Sequence, residues 1–144
     1  LIFKSKNKGQ IYKNKQINFM ADTKKVVFIE DDSFLIDVIG EEIQKDHILY
    51  FNAKNGIDGL DTIRREKPDL VLLDLILPGI SGFDVLKRIK QDPELSHIPV
   101  IVLSNLATKE DIEKAKELGA VDYMVKAQTM PDEVKSIIFK YLQV

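Results

Sequence analysis

Four short apolar runs in this chain each end at a residue able to hold a metal ion or a phosphoryl group. Val26-Val27-Phe28-Ile29 leads into Glu30-Asp31-Asp32, Leu70-Val71-Leu72-Leu73 into Asp74, Val100-Ile101-Val102-Leu103 into Ser104, and Tyr123-Met124-Val125 into Lys126. Runs of this length, rich in Val, Ile and Leu and separated by helix-like stretches, predict strands buried on both faces of a parallel sheet. Ligands of such sheets bind beyond the carboxyl ends of the strands. The pattern therefore points to an α/β fold that gathers carboxylates, a hydroxyl and an ammonium group on one edge, although Glu30 and Lys126 lie far apart in the chain.

Length and composition leave room for one such domain. A chain of 144 residues buries roughly two thirds of its unfolded surface on folding. Cysteine is absent, which excludes disulfides and thiolate metal sites and suits a reducing cytosol. No apolar run approaches the roughly 18 residues of a membrane span, and the lysine-studded start has no signal-peptide character. The expectation is a cytoplasmic protein without membrane attachment. The net charge of −2 conceals a division: residues 1–19 carry five lysines and no acid, leaving 16 basic and 23 acidic side chains elsewhere, a net of −7. Residues 1–23 read as a basic, disordered N-terminal extension and 24–144 as the folded domain. Met20-Ala21-Asp22 has the look of a start with upstream sequence before it. Five lysines without arginine are weak grounds for nucleic-acid binding, and no direct DNA binding is expected.

From Lys24 onward strand and helix alternate five times. The first strand, near Val26–Ile29, precedes a helix from about Phe34 to Lys45, with Ser33 as its N-cap and Asp32 as an acid favourable to the helix dipole. The second strand is Ile48–Phe51. Asn55-Gly56 opens a helix through Leu60 and Ile63, ended before Pro68; Leu77-Pro78-Gly79 turns the chain into one through Phe83, Leu86 and Ile89. The fourth strand follows Pro99. Thr108 caps a helix through Ile112, Ala115 and Leu118 that stops at Gly119, and the fifth strand spans Asp122 to Lys126. Pro131 starts the last helix, through Val134, Ile137, Ile138 and Tyr141. Right-handed crossovers then give an open sheet with helices on both sides.

Glu30-Asp31, Asp74 followed by Leu77-Pro78 and Gly82, then Ser104, Tyr123 and Lys126, together resemble the receiver domain of two-component response regulators, over essentially all of residues 24–144. The resemblance implies a flavodoxin-like, doubly wound five-stranded parallel sheet, order 2-1-3-4-5, with five helices. It implies that Asp74 is the phosphoacceptor, forming an acyl phosphate. It further implies Mg²⁺ held by Asp31 and Asp74, by Glu30 mainly through water, and by the Ile76 backbone carbonyl. Lys126 and Ser104 would engage the phosphoryl oxygens, and Ser104 with Tyr123 would form the switch. The partners implied are a histidine kinase or histidine phosphotransfer protein upstream and a protein target downstream. The chain would be a single-domain response regulator rather than a turnover enzyme. The alternative is a degenerate receiver that binds partners without phosphorylation. In the family the residues two beyond the acceptor and two beyond the hydroxyl flank the path of hydrolytic water; here they are Ile76 and Leu106.

Other chemistries fit less well. A haloacid-dehalogenase-type phosphatase needs a second acid two positions after the nucleophile, where this chain has Ile76. A flavin- or nucleotide-binding loop would place Gly, Ser or Thr after the first strand, where Glu30-Asp31-Asp32 would repel phosphate. Departures from the receiver pattern are Ala127, where Pro commonly follows the lysine, Asn105 after the hydroxyl, and Leu77 in place of Met. None removes a chemical group. His47 and His97 stand alone beside apolar runs and read as packing or surface residues.

Overall fold

A computed structural model of the chain describes residues 23–44 and 47–144, so the N-terminal extension expected over residues 1–23 lies outside the described residues except for Thr23. Five strands, β1 (Lys24–Ile29), β2 (Ile48–Ala53), β3 (Leu70–Leu73), β4 (Val100–Ser104) and β5 (Asp122–Val125), form one parallel sheet in the order β2-β1-β3-β4-β5. Five helices connect and flank them: α1 (Ser33–Gln44), α2 (Gly56–Glu66), α3 (Gly82–Gln91), α4 (Lys109–Glu117) and α5 (Pro131–Leu142). This is the doubly wound fold and strand order expected from the sequence.

The central strands are apolar on both faces because both faces are covered. Val27, Ile29, Val71, Leu73, Val100 and Val102 pack with Leu60, Ile63, Val85, Leu86, Ile89 and Ala115 of α2, α3 and α4. Val26, Phe28, Leu70, Leu72, Ile101 and Leu103 pack on the other side with Ile36, Ile39 and Ile43 of α1 and Val134, Ile138 and Leu142 of α5. Alternate residues of each strand thus feed two separate cores, as the period of two requires.

Helix starts follow local chemistry. Asn55, Ser81 and Thr108 each accept from a backbone N–H three residues on, at Asp58, Asp84 and Asp111. Pro131 occupies the first turn of α5, where its missing N–H costs nothing. The start of α1 differs from expectation. Its cap is Asp32, whose Oδ1 accepts from Phe34 N at 3.0 Å and Leu35 N at 3.4 Å, while Ser33 lies inside the helix and its hydroxyl accepts from Lys54 Nζ at 2.7 Å. A carboxylate one residue upstream reaches both orphan amides, which frees the serine. The second strand also runs two residues further than the apolar run suggests, to Ala53, because Phe28 and Ile29 of β1 give it register partners there. The fifth strand ends at Val125, and Lys126–Gln128 form a 3₁₀ turn.

Candidate functional site

Strand ends build the site through backbone hydrogen bonds. Glu30 N donates to Ala53 O at 2.9 Å, and Asp74 N donates to Ile29 O at 3.0 Å, so the ends of β2, β1 and β3 are locked side by side. Glu30 follows the four buried residues that end β1, Asp74 follows the fully buried β3, and both are buried themselves; Asp31, one residue beyond Glu30, is exposed. One carboxylate oxygen from each of Glu30, Asp31 and Asp74 lies within 4.8 Å of the others. The loop after Asp74 turns tightly: Ile76 N donates to Asp74 Oδ1 at 3.2 Å, and Gly82 N donates to Leu75 O at 3.0 Å. A side chain at Gly82 would collide with backbone, since its Cβ would stand 2.2 Å from Asp74 O.

Lys126 enters from the end of β5 and forms ion pairs with both buried acids, at Glu30 Oε1 and, at 2.7 Å, Asp74 Oδ2. The Lys126–Ala127 peptide is trans, so the lysine reaches the acids without the cis geometry that a following proline allows. Instead Ala127 N donates to Asn105 Oδ1 at 3.1 Å, which ties the lysine's turn to the loop after β4.

The electrostatics reflect crowding. Burial pushes the Glu30 carboxyl up to about 7; the hydrogen bond from Lys126 opposes this, and the neighbouring Asp74 charge adds to it. Burial by itself would lower the Lys126 ammonium, but its bonds to Asp74 and Glu30 outweigh that and hold it above the ordinary lysine value. Two carboxylates out of water with one ammonium between them leave excess negative charge. The all-oxygen donor set, the spacing and this excess charge fit a hard divalent cation such as Mg²⁺.

Ser104 ends β4 fully buried, and its Oγ accepts from Leu106 N at 3.3 Å. Tyr123 belongs to β5 opposite Val102; its ring packs at the margin of one core and its hydroxyl donates to Leu106 O at 2.5 Å. Burial, with smaller contributions from Asp111 and Asp74, raises the phenol above its ordinary value. Tyr123 is thus outside the acidic cluster but joined to Ser104 through one residue of the loop after β4. The histidines play no part in the cluster.

The structure therefore brings together Glu30, Asp31, Asp74 and Lys126, places Ser104 at the adjacent strand end, and sets Tyr123 one loop away. Sequence reasoning overlooked Lys54. The same signal could have found it, because the second strand also ends at this edge and Lys54 follows it; the apolar run stops at Phe51, however, and hid the true end of β2.

Comparison with known proteins agrees with this arrangement. The family model for the response regulator receiver domain matches residues 26–138. Sporulation initiation phosphotransferase F of Bacillus subtilis is 34% identical over 82% of this chain and 93% of its own length. The polar-differentiation response regulator DivK of Brucella anthropi is 34% identical over 79% of this chain and 93% of its own. The crystal structure of the phosphorylated cyanobacterial phytochrome response regulator RcpA superposes with a TM-score of 0.75 at 31% identity, covering 83% of this chain and 94% of that one. With its fold, strand-end chemistry and matched span in agreement, this chain belongs to the response regulator receiver domain family of two-component systems.

Proposed function

We propose that the protein is a single-domain response regulator: Asp74 accepts a phosphoryl group from a phosphohistidine of a histidine kinase or phosphotransfer protein, and the phosphorylated form binds a protein target. The observation that carries this reading is Lys126 Nζ at 2.7 Å from the buried Asp74 carboxylate, beside oxygens of Glu30 and Asp31. Coverage of nearly the whole length of the two curated relatives supports the single-domain form.

Asp31 and Asp74, with Glu30 behind them and the Ile76 carbonyl beside them, would hold Mg²⁺, which when bound supplies charge neutralisation for the incoming phosphoryl group. The protein's own groups position the rest. An Asp74 carboxylate oxygen attacks phosphorus, the O–P bond forms as the donor's N–P bond breaks, and the leaving imidazole nitrogen takes up a proton. Lys126 is placed to exchange its pairing with Asp74 for a phosphoryl oxygen, and the Ser104 hydroxyl to donate to another. Burial of Glu30 and Asp74 excludes bulk water from this step. Exposed Phe34, Ile76 and Met130 follow β1, β3 and β5 around the same edge and suit docking of a protein donor.

The output route runs through hydrogen bonds already made. When Ser104 turns toward a phosphoryl group it releases Leu106 N, and Leu106 O is the acceptor of Tyr123; the face formed by α4, β5 and α5 then has two arrangements. Moving such a switch from 1:99 to 99:1 takes about 5.5 kcal/mol of differential interaction.

The test is incubation with Mg²⁺ and phosphoramidate followed by intact-mass measurement. One phosphoryl group should be gained by the unmodified protein and none by Asp74→Asn, which keeps the side chain's shape but removes the nucleophile. Equal phosphorylation of the variant would move the acceptor elsewhere. No gain by either would favour the degenerate receiver.

A further inference from the structure

The strand-end rule applies to the second strand, β2, as well, and it delivers a second cation to the site. β2 ends at Ala53, whose carbonyl accepts from Glu30 N, so Lys54 follows directly the residue bonded to the buried acid's backbone. From there Lys54 Nζ crosses to the start of α1 and donates to Ser33 Oγ at 2.7 Å. Ser33 is two residues beyond Asp31, which at about 3.8 Å per Cα step keeps the two within about 8 Å. Lys126 is engaged by Glu30 and Asp74, whereas Lys54 has no carboxylate partner among the described residues. An ammonium has three donors; Ser33 accepts one, and the serine hydroxyl still has a hydrogen to give.

The remaining charges at the mouth are unfavourable to an anion. Asp31 and Asp32 are exposed there, and an approaching phosphoryl group meets them before it reaches Lys126. Resting on the receiver reading, we infer that Lys54, steadied by Ser33, is a positioning residue that receives the phosphoryl oxygens of the donor at the mouth of the site. It takes no part in the bonds that change: with phosphoramidate as donor, the Asp74 O–P bond forms, the N–P bond breaks, and the leaving nitrogen departs as ammonia after taking up a proton. A charge at the rim acts on association and its salt dependence rather than on the reacting bonds.

The experiment measures phosphorylation rate against phosphoramidate concentration, with Mg²⁺, by intact mass. In Lys54→Met the half-saturating concentration should rise about three- to fivefold, the effect of losing one exposed charge contact. The saturating rate, the decay of the phosphoprotein and the melting temperature should stay unchanged. Lys54→Arg should recover most of the loss, Ser33→Ala should give a smaller one, and added salt should weaken the unmodified protein more than Lys54→Met. Unchanged half-saturation, or a fall confined to the saturating rate, overturns the proposal. A second arm does not depend on transfer. In Asp74→Asn, titration with inorganic phosphate should move the backbone amide signals of Ser33 and Lys54, and adding Lys54→Met should abolish that movement. Signals that stay still, or that move equally without the lysine, overturn it as well. Movement with phosphate together with no mass gain in the unmodified protein would retain the anion contact and reject the phosphoacceptor reading.

Discussion

Ile76 and Leu106 stand next to the two groups that would hold a phosphoryl group. Ile76 N donates to Asp74 Oδ1 and Leu106 N to Ser104 Oγ, so each apolar side chain springs from backbone in contact with the site. Ile76 is exposed and Leu106 half-buried. Neither can orient a water by hydrogen bonding, and positioning of the attacking group is a large part of phosphoryl transfer. The phosphorylated protein is therefore expected to be long-lived compared with receivers tuned for rapid reset. Ile76→Asn should shorten its lifetime without preventing phosphorylation, as followed by the decay of the added mass. Loss of the phosphoryl group within seconds in the unmodified protein would contradict this. Lys126 belongs to a different class of residue: it pairs with two buried carboxylates at once, and its removal would leave both without a cationic partner.

Among the connecting elements, the loop from β3 to α3 is the most constrained. Gly82 opens α3 where its Cβ would meet Asp74 O at 2.2 Å and Leu75 Cα at 2.5 Å, both backbone atoms that cannot turn aside. Gly82→Ala should therefore cost about 3 kcal/mol in denaturant unfolding, the upper part of the range for overpacking. It should also weaken phosphorylation, because the displaced carbonyl belongs to Asp74, the proposed acceptor. Stability within about 0.5 kcal/mol of the unmodified protein, the usual span for harmless surface changes, would show that the loop adapts. The helix α4 lies at the other extreme. Ala115 is its one buried residue, and its surface is otherwise mostly charged, so little apolar contact resists its displacement.

Across the whole molecule, two cores on opposite faces of one sheet share the strands whose ends make the site. Loosely held α4 and the Ser104–Leu106–Tyr123 linkage lie on the same side of it, which gives a change at Asp74 a route to one face. With a phosphoryl mimic bound, backbone chemical shifts should change along α4, β5 and the start of α5 as well as around Asp74. Changes confined to the acidic pocket would leave the switch without support. Among the described residues the two cores draw on positions 26–142, and residues 1–19 offer few periodic apolar positions, so deleting residues 1–19 should leave the melting temperature within a few degrees. A larger fall in a thermal scan would show that the extension docks on the domain.

Much of this was legible in the chain before folding. Apolar runs bounded by polar residues report burial, and burial is written locally, so the five strands, the parallel sheet and the convergence of Asp74, Ser104 and Lys126 on one edge follow from the sequence. Caps at Asn55-Gly56, Thr108 and Pro131 are local for the same reason. Which polar atoms meet depends instead on register between strands distant in the chain, such as Ile29 with Leu73 and Ser104 with Val125. No period in the sequence encodes it. That register decides that Lys126 pairs with Glu30 as well as Asp74, and that Tyr123 reaches Leu106. The extension of β2 to Ala53 comes from its pairing with β1, and it carries Lys54 to Ser33, leaving Asp32 to cap α1. Local physics selected the elements and the edge; the partners of each charge were settled only when that edge closed.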